Sequence, residues 1–363
     1  MPDGQKKGAA GAKPRIAKAK SAGGAGKSRY DFVEGDRYAP APESSDHVSL
    51  RDSYDLFIGG EWVRAPKRLE TINPATGEVL AEVGEAGPRM VDRAVAAARQ
   101  AYEKTWSDMP GRERGKYLFR LARLIQERAR EFAVVETMDG GKPIRESRDI
   151  DLPLVAAHFF YYAGWADKLD YAFPGRRARS LGVVGQVIPW NFPLLMAAWK
   201  LAPALACGNT VVLKPAETTP LTALKLAELI EEAGFPPGVV NVITGAGKTG
   251  QNLVRHPDVD KVAFTGSDVA GQKIYESAAK KIMPATLELG GKSPNIVFGD
   301  ADFEAAVMGA ISGIFAATGQ TCIAGSRLLV QRSVHDRFVK RLIEVGADIN
   351  AQDNQGITAL MLA

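Results

Sequence analysis

The sequence predicts an α/β protein built around a parallel, doubly wound sheet. From Gly182 to Phe264, short β-branched apolar runs alternate with helical segments, and such runs are typical of strands buried on both faces. Alternation of strand, helix and strand produces parallel sheets. Glycines and polar residues follow these runs directly, at the sheet edge where α/β proteins bind ligands.

The composition predicts a soluble globular chain with room for two domains, since 45% of its 363 residues are hydrophobic and 24% are charged. No apolar stretch reaches the roughly 18 residues of a membrane span, so membrane contact is not expected. The two cysteines, Cys207 and Cys322, favour a cytoplasmic location over a disulfide framework. The four histidines are scattered, and a zinc site is not expected.

Residues 1–50 form a predicted disordered, basic tail. Its first 29 residues hold eight of the lysines and arginines and a single aspartate, so the remaining chain carries a net charge of −3. Gly, Ala and Lys dominate, and they cannot bury enough apolar surface to fold. A solubilising extension, non-specific contact with nucleic acid through charge, and an organelle transit peptide remain open; other nucleic-acid binding is not expected.

The segment after the tail begins with a predicted hairpin at Leu56–Trp62 and a turn at Asn73–Gly77 that leads into another strand. Amphipathic spacing then predicts helices over Met90–Trp106, Arg112–Met138 and Ile144–Leu169. Further strands and helices are predicted along the rest of the chain. The strands are Val183–Ile188, Val211–Leu213, Val239–Ile243, Lys261–Phe264, one around Leu287, Asn295–Phe298 and Leu328–Gln331; the helices are Leu221–Ala233, Gln251–His256, Phe303–Phe315 and Val334–Leu342.

Two glycine-rich segments look like phosphate-binding P-loops, but each lacks the required first glycine, with Ser21 and Val242 in its place. The segment Gly245–Gly250 does satisfy the dinucleotide pattern G-x-G-x-x-G and lies between a predicted strand and a helix. By itself that pattern is equally compatible with an ordinary glycine-rich turn.

Five segments with polar groups at or near strand ends carry the chemistry: Pro189–Pro193, Val212–Glu217, Phe264–Gly271, Leu287–Lys292 and Gln320–Cys322. Cys322 lies among small residues on a predicted strand-to-helix connection, where a nucleophilic thiol is accessible. Apolar neighbours of Glu288 are expected to raise the pKa of its carboxyl towards that of a useful base. The alternative, packing and turn chemistry alone, would have to explain all five segments together.

These segments, in this order and spacing, resemble the NAD(P)-dependent aldehyde dehydrogenases over about Leu56 to Leu342. Asn73–Leu80 also fits that family's Asn-Pro-Ala-Thr-Gly-Glu run. The resemblance implies that the Cys322 thiolate attacks an aldehyde, while the Asn191 amide and the Cys322 N–H hold the oxyanion. After hydride transfer, Glu288 would activate the water that hydrolyses the thioester. Lys200 matches a family lysine near the proton route, and a surface charge is its alternative.

The resemblance also implies NAD as cofactor. Lys214 and Glu217 would contact the adenine ribose, and because a carboxylate there repels a 2′-phosphate, Glu217 favours NAD over NADP. Gly266 and Ser267 would bind the pyrophosphate, and Gly245 would border the adenine cleft. The full set expected at the cofactor is Ile188, Pro189, Trp190, Lys214, Ala216, Glu217, Gly245, Gly250, Phe264, Thr265, Gly266, Ser267 and Leu289.

The resemblance divides the chain further. Residues 51–290 would form the NAD-binding domain with the helical N-terminal part and part of the oligomerisation region, and 291–342 would begin an incomplete, truncated catalytic domain. The segment 343–363 resembles a partial ankyrin repeat, and a single such unit cannot bury its own apolar face.

Family members continue well past the nucleophile, with a Glu-x-Phe-Gly-Pro segment, substrate-tunnel walls and an oligomerisation strand that the sequence lacks. An incomplete sheet would leave an exposed apolar face and an unpaired edge. Although the family is typically homo-oligomeric, two hypotheses therefore remain for this chain. It is either an enzyme that oxidises a small-molecule aldehyde, or an inactive fragment or fusion that at most binds a nucleotide or a protein partner.

Overall fold

The computed structural model describes residues 44–172, 174–176 and 178–345. The chain divides into two units, Met1–Pro42 and Glu43–Ala363, and all described residues belong to the second. Most of the predicted tail (1–43) and of the ankyrin-like segment (346–363) therefore lies outside the described residues. No described helix is both long enough and apolar enough to cross a bilayer.

The strands form one large sheet and two small ones, and their hydrogen bonding sets the strand order. The strands are β1 (Ser53–Tyr54), β2 (Leu56–Ile58), β3 (Glu61–Val63), β4 (Lys67–Ile72), β5 (Val79–Glu85), β6 (Val183–Val187), β7 (Thr210–Lys214), β8 (Val240–Val242), β9 (Lys261–Thr265), β10 (Ala285–Glu288), β11 (Pro294–Val297) and β12 (Arg327–Val330). The large sheet has the order β10-β9-β6-β7-β8-β2-β3, and the small sheets are β1-β5-β4 and β11-β12.

The helices cover both faces of the large sheet. They are α1 (Pro88–Ala101), α2 (Gly111–Glu127), α3 (Ala129–Gly140), α4 (Ile144–Glu146), α5 (Leu152–Trp165), α6 (Leu169–Ala172), α7 (Pro193–Ala206), α8 (Leu221–Glu232), α9 (Gly247–Arg255), α10 (Asp268–Ala279), α11 (Phe303–Phe315) and α12 (His335–Glu344). One apolar core lies under α2, α5, α7 and α8, and a second lies under α1 and α9. This is the predicted doubly wound α/β arrangement.

The large sheet has a topological switch point between β6 and β9. Chain order runs from β6 outward through β7 to β8, then returns to the other side of β6 for β9 and β10. All four pairings among these five strands are parallel, so their carboxyl ends share one edge. Ligands of open α/β sheets bind in the crevice at such a point.

Burial of the central strands confirms the expectation drawn from their apolar runs. Every residue of β7 and β8 is buried, which requires cover on both faces. The predicted hairpin is also present, because β2 pairs antiparallel with β3 across Gly59 and Gly60. Both glycines have positive φ, 65° and 81°, as the tight two-residue turn requires.

The predicted helix over Arg112–Met138 is wrong in one respect, because it is two helices. α2 ends and α3 begins on either side of Arg128, whose φ of −107° and ψ of 17° interrupt the helix. The break lets α2 bury one stripe of side chains while α3 buries a contiguous run, Phe132–Glu136. The predicted helix Ile144–Leu169 similarly contains a π-helical turn, Ser147–Asp151, between α4 and α5.

The last described part of the chain has little core of its own. β11 and β12 pair only with each other among the described residues, and a small cluster around Val307 and Phe338 packs against them. Several of its large apolar side chains are exposed: Ile296, Phe298, Met308, Phe315, Ile323 and Leu329. The unit that carries Cys322 is therefore much less covered than the large sheet.

Candidate functional site

The edge at the switch point brings together three of the predicted segments. Asn191 follows β6, Gly266 follows β9, and Glu288 ends β10. Glu288 pairs with Thr265 in the sheet, and the Gly266 N–H donates to the Glu288 carbonyl at 3.0 Å. Strand order alone thus places the predicted base next to the predicted phosphate-binding turn.

Cys322 reaches this edge through two loop contacts. The Asn191 side-chain amide donates to the carbonyl of Gln320 at 2.6 Å. On the other side, a Cβ placed on Gly291 would lie 3.4 Å from the Cys322 carbonyl oxygen. The predicted nucleophile, oxyanion donor and base loop therefore converge, and the Cys322 side chain is exposed.

The predicted strand-to-helix setting of Cys322 is wrong. The residue follows a 3₁₀ turn, Ala316–Gly319, and precedes β12, so it lies on a helix-to-strand connection. The cause is the parallel pairing of β11 with β12. Parallel strands need a crossover connection, here α11, and the loop with Cys322 leads from the end of this crossover into β12.

The predicted apolar surroundings of Glu288 are also absent, since its side chain is exposed. β10 is the edge strand of the large sheet, and residues 286 and 288 of this strand are both exposed. Successive side chains of a strand point to opposite faces. The Glu288 carboxylate therefore lies on the exposed face of an edge strand, although its sequence neighbours Leu287 and Leu289 are apolar.

Lys200 is held inside the site, which argues against the alternative of a freely solvated surface charge. Its Nζ donates to Thr265 Oγ1 at 2.6 Å, and its carbonyl accepts from Gln186 Nε2 at 2.8 Å. Burial lowers the pKa of the Lys200 amine to about 8, against the opposing attraction of the Glu288 carboxylate. Lys200 can therefore exchange protons near neutral pH, beside the predicted base.

The predicted ribose contacts lie at the end of β7. Lys214 Nζ and Glu217 Oε2 are 3.1 Å apart, with the lysine buried and the carboxylate half open to solvent. Burial lowers the pKa of Lys214, opposed by the Glu217 charge. Burial, the largest single influence, pushes the pKa of Glu217 upward, but the Lys214 charge and the hydrogen bonds to the carboxylate together hold that pKa below its usual value. The pair therefore presents a fixed carboxylate.

The glycines of the predicted cofactor turns are positions of close approach. A Cβ on Gly245, whose φ is 149°, would lie 2.2 Å from Thr249 Oγ1, and a Cβ on Gly266 would lie 2.5 Å from the Phe264 ring. Ser267 caps α10 by accepting from the Ala270 N–H at 3.3 Å. The N-terminus of this twelve-residue helix leaves backbone N–H groups that suit a pyrophosphate.

The remaining predicted cofactor residues lie along the same edge. Ile188 is buried and its N–H donates to the Lys214 carbonyl at 3.1 Å, while Trp190 is exposed. Leu289 packs over Gly271, and Gly250 approaches the Lys214 side chain. Pro189, Ala216 and Thr265 complete the set at the ends of β6, β7 and β9.

A cavity of about 270 Å³ opens beside Glu217, Thr218 and Ala246, and its other wall is Leu69–Ile72 of β4. Nothing in the sequence pattern indicated that this N-terminal strand borders the cofactor side. Glu217 therefore lines an open cavity and is not enclosed by packed side chains.

Two buried carboxylates of α3 are functional candidates that the motif search missed. Glu136 Oε1 accepts from the Leu194 N–H at 3.4 Å, and Asp139 accepts from the Leu221 N–H at 2.8 Å. Each therefore supports the start of a helix, α7 or α8, that follows a site loop. Burial raises the pKa of both carboxyls to about 7. The sequence signal that could have identified them is a pair of acidic residues, three positions apart, within the apolar run of α3.

No metal site accompanies this arrangement in the described part of the chain, where no three histidine, cysteine or acidic side chains cluster suitably. Comparison with known proteins settles the lineage. The model of the aldehyde dehydrogenase family matches residues 62–359. The chain belongs to the aldehyde dehydrogenase family. The family match confirms the resemblance found in the sequence, and it extends across most of the segment interpreted as ankyrin-like.

Relatives within the aldehyde dehydrogenase family share almost half of their aligned residues with this chain. An aldehyde dehydrogenase of Alternaria alternata is 49% identical over 304 residues, covering 80% of this chain and 61% of that protein. Human retinal dehydrogenase 2 is 47% identical over 322 residues, covering 83% and 62%. The chain thus spans about three fifths of the length of these curated relatives.

Solved aldehyde dehydrogenase structures share the fold. The NAD+ complex of the Bacillus cereus aldehyde dehydrogenase superposes with a TM-score of 0.78 at 46% identity, covering 83% of this chain and 63% of that one. The betaine aldehyde dehydrogenase of Staphylococcus aureus, also in complex with NAD+, gives 0.76 at 42% identity, covering 82% and 61%. The predicted fold class is confirmed by these matches.

Proposed function

We propose that this chain oxidises an aldehyde to a carboxylic acid with NAD, through covalent intermediates on Cys322. The observation that carries the proposal is the 2.6 Å hydrogen bond from the Asn191 amide to the Gln320 carbonyl. It holds an amide donor against the loop of the only exposed cysteine in the described chain, at the switch-point edge where an α/β sheet binds its ligand.

The chemistry follows from the residues at this edge. The Cys322 thiolate attacks the aldehyde carbon, and the Asn191 amide and the Cys322 N–H stabilise the oxyanion of the resulting thiohemiacetal. NAD, when bound, supplies the acceptor for the hydride that leaves the same carbon. The thioester on Cys322 is then hydrolysed by a water that Glu288 deprotonates. Lys200, with its lowered pKa and its place beside Glu288, relays that proton towards solvent.

The residues present fit NAD. Gly266 packs so closely on Phe264 that no side chain fits there, which sets the path of the turn before α10, and the α10 N-terminus suits a pyrophosphate. The Glu217 carboxylate, fixed by Lys214, would accept hydrogen bonds from a ribose diol and repel a 2′-phosphate. These contacts support NAD over NADP.

The experiment is an assay of NADH formation from NAD and propanal, with Cys207→Ser as the matched control for Cys322→Ser. We expect the Cys322 variant to lose activity by at least about a thousandfold and to keep its NAD affinity. The Cys207 variant should stay within about threefold of the parent, since its half-buried thiol is distant from the switch point. Turnover that survives Cys322→Ser would overturn the proposed mechanism.

The second candidate is an inactive relative that only binds a nucleotide, and it is favoured by the small core and the exposed Ile296 and Leu329 side chains of the described part that carries Cys322. Titration calorimetry with NAD separates the two. Heat of binding without NADH formation would support the second candidate, whereas neither heat nor a shift in melting temperature would contradict both.

A further inference from the structure

The turn that leads to Cys322 has an unusual backbone. Ala317, Thr318 and Gly319 all have positive φ, at 50°, 54° and 78°. Only glycine adopts this left-handed region without a steric penalty, and for a β-branched residue such as Thr318 it is a genuine outlier. Such a conformation persists only where surrounding contacts enforce it.

One of those contacts comes from a distant part of the chain. The Ala317 N–H donates to Glu146 Oε2 at 2.6 Å, across 171 residues of sequence. Ala317 is 2% exposed, so this amide has little access to water as an alternative partner. A buried N–H that loses its hydrogen-bond partner costs free energy, so Glu146 is a substantial restraint on the turn.

The restraint continues from Ala317 to the oxyanion donor. The Gln320 N–H donates to the Ala317 carbonyl at 3.0 Å, and the Gln320 carbonyl accepts from the Asn191 amide at 2.6 Å. Glu146 and Asn191 therefore hold the four-residue turn Ala317–Gln320 from its two ends. Cys322 lies two residues after this turn.

The segment that carries Glu146 also contacts the Asn191 side of the site. Lys142 Nζ lies 3.7 Å from the centre of the Phe192 ring, next to Asn191. Lys142 is itself fixed by a buried ion pair with Asp151, at the end of the π-helical turn that follows Glu146. The segment Lys142–Asp151 thus contacts both the loop of the oxyanion donor and the loop of the nucleophile.

We propose that Glu146 is a positioning residue that sets the placement of Cys322 relative to the Asn191 amide. The proposal rests on the proposed function, in which that amide stabilises the oxyanion formed when Cys322 attacks a carbonyl. Glu146 touches neither substrate nor thiol, and it acts through the Ala317 N–H. Loss of this contact would leave a reactive thiol that is poorly aligned with its oxyanion donor, and such misalignment slows attack on carbonyls.

The first test compares two reactions of Cys322 in the full chain. In acylation by nitrophenyl acetate, sulfur bonds to the carbonyl carbon and nitrophenolate leaves with the C–O electron pair, so an oxyanion must be stabilised. In alkylation by iodoacetamide, sulfur displaces iodide and no oxyanion forms. We expect Glu146→Ala to slow acylation by roughly tenfold to a hundredfold and to change alkylation by less than about threefold.

Three further variants make the comparison specific. Glu146→Gln keeps an acceptor at the same position, so we expect acylation within about threefold of the parent. Glu146→Asp keeps the charge but withdraws it by about 1.5 Å, one C–C bond, and should resemble Glu146→Ala; it decides the question if the alanine variant does not fold. Glu113→Ala removes an exposed carboxylate that pairs with nearby Lys116 and should change neither rate.

The second test does not depend on any activity. Hydrogen exchange followed by mass spectrometry should show faster exchange, by at least about tenfold, in the peptide containing Ala317–Cys322 of Glu146→Ala and Glu146→Asp. Unchanged exchange in both variants, or equal slowing of acylation and alkylation, would overturn the positioning role. Alkylation of Cys322 without any acylation in the parent would count against the proposed function, and exchange would then decide on Glu146 by itself.

Discussion

The large sheet and the small unit that carries Cys322 hold their site residues in different ways. Around β7 the sheet is covered on both faces, and Lys214 and the glycine turns are fixed by packing. Around β11 and β12 the apolar side chains of Ile296 and Leu329 are exposed. Placement of Cys322, the proposed nucleophile, therefore depends on a few polar contacts, whereas placement of the proposed cofactor turns depends on the core.

The two regions also differ in where charge is buried. Glu136, Asp139 and Lys142 are all buried beside the large sheet, and none of the buried charged residues in the described chain lies beyond residue 290. Burial of charge makes stability depend on pH. We therefore expect pH to change the stability of the region around the large sheet. In the unit that carries Cys322, we expect loss of a single polar contact to change the placement of residues.

The largest expected difference between the halves is in core truncation. Leu213→Ala in β7, where Leu213 is 0% exposed, should lower the free energy of unfolding by about 2–5 kcal/mol. Leu329→Ala in β12, where the leucine is 42% exposed, should lower it by less than about 1 kcal/mol. Urea unfolding measures the free energy of unfolding of both variants. Equal losses would contradict the proposed difference between the large sheet and the unit that carries Cys322.

A smaller effect is expected from the buried carboxyl of Glu136. Because burial raises its folded-state pKa from 4.5 to about 7, the folded protein binds more protons than the unfolded chain between these values, and stability falls as pH rises. Glu136→Gln should remove this loss and gain about 1–3 kcal/mol at pH 8 relative to the parent.

Urea midpoints measured across this pH range test the prediction for Glu136. A parallel pH dependence in parent and variant would contradict it. The exposed acid Glu304, which pairs with Arg341 beside the Cys322 unit, provides the control, and Glu304→Gln should leave the slope unchanged.

The glycines of the two halves should respond in opposite directions. Gly266→Ala must displace the buried Phe264 ring, and we expect a loss of about 1–3 kcal/mol together with weaker NAD binding. Gly309→Ala in α11 meets no atom within 4 Å and should gain up to about 1 kcal/mol, as alanine favours a helix interior. Thermal melting measures the stability of both variants, and titration measures their NAD binding. Stability changes of the same sign in the two variants would contradict the comparison.

A pH effect of the opposite sign to that of Glu136 is expected from Lys200. Since burial lowers its folded-state pKa from 10.5 to about 8, the unfolded chain binds more protons between these values, and stability rises with pH there. Lys200→Met should flatten this rise while filling the same space. Melting temperatures measured through that range test the slope, and a rise with pH that is as steep in Lys200→Met as in the parent would contradict the prediction.

Much of the fold could be predicted because its signals are local. β-Branched runs such as Val211–Leu213 indicated the strands, and Gly59-Gly60 lies at the turn of the predicted hairpin. The errors arose where burial depends on neighbours that are distant in sequence. Arg128 breaks a helix without a glycine or proline, and Glu288 is exposed because its strand lies at a sheet edge.

The sequence by itself determined the α/β class, the family and the order of polar residues along the site, because strand propensity, turn glycines and motif spacing are encoded within short segments. Only the tertiary structure decided which of these residues meet. The contacts from Asn191 to Gln320 and from Glu146 to Ala317 span 129 and 171 residues. They exist because strand order brings distant loops to one edge, which no local pattern specifies.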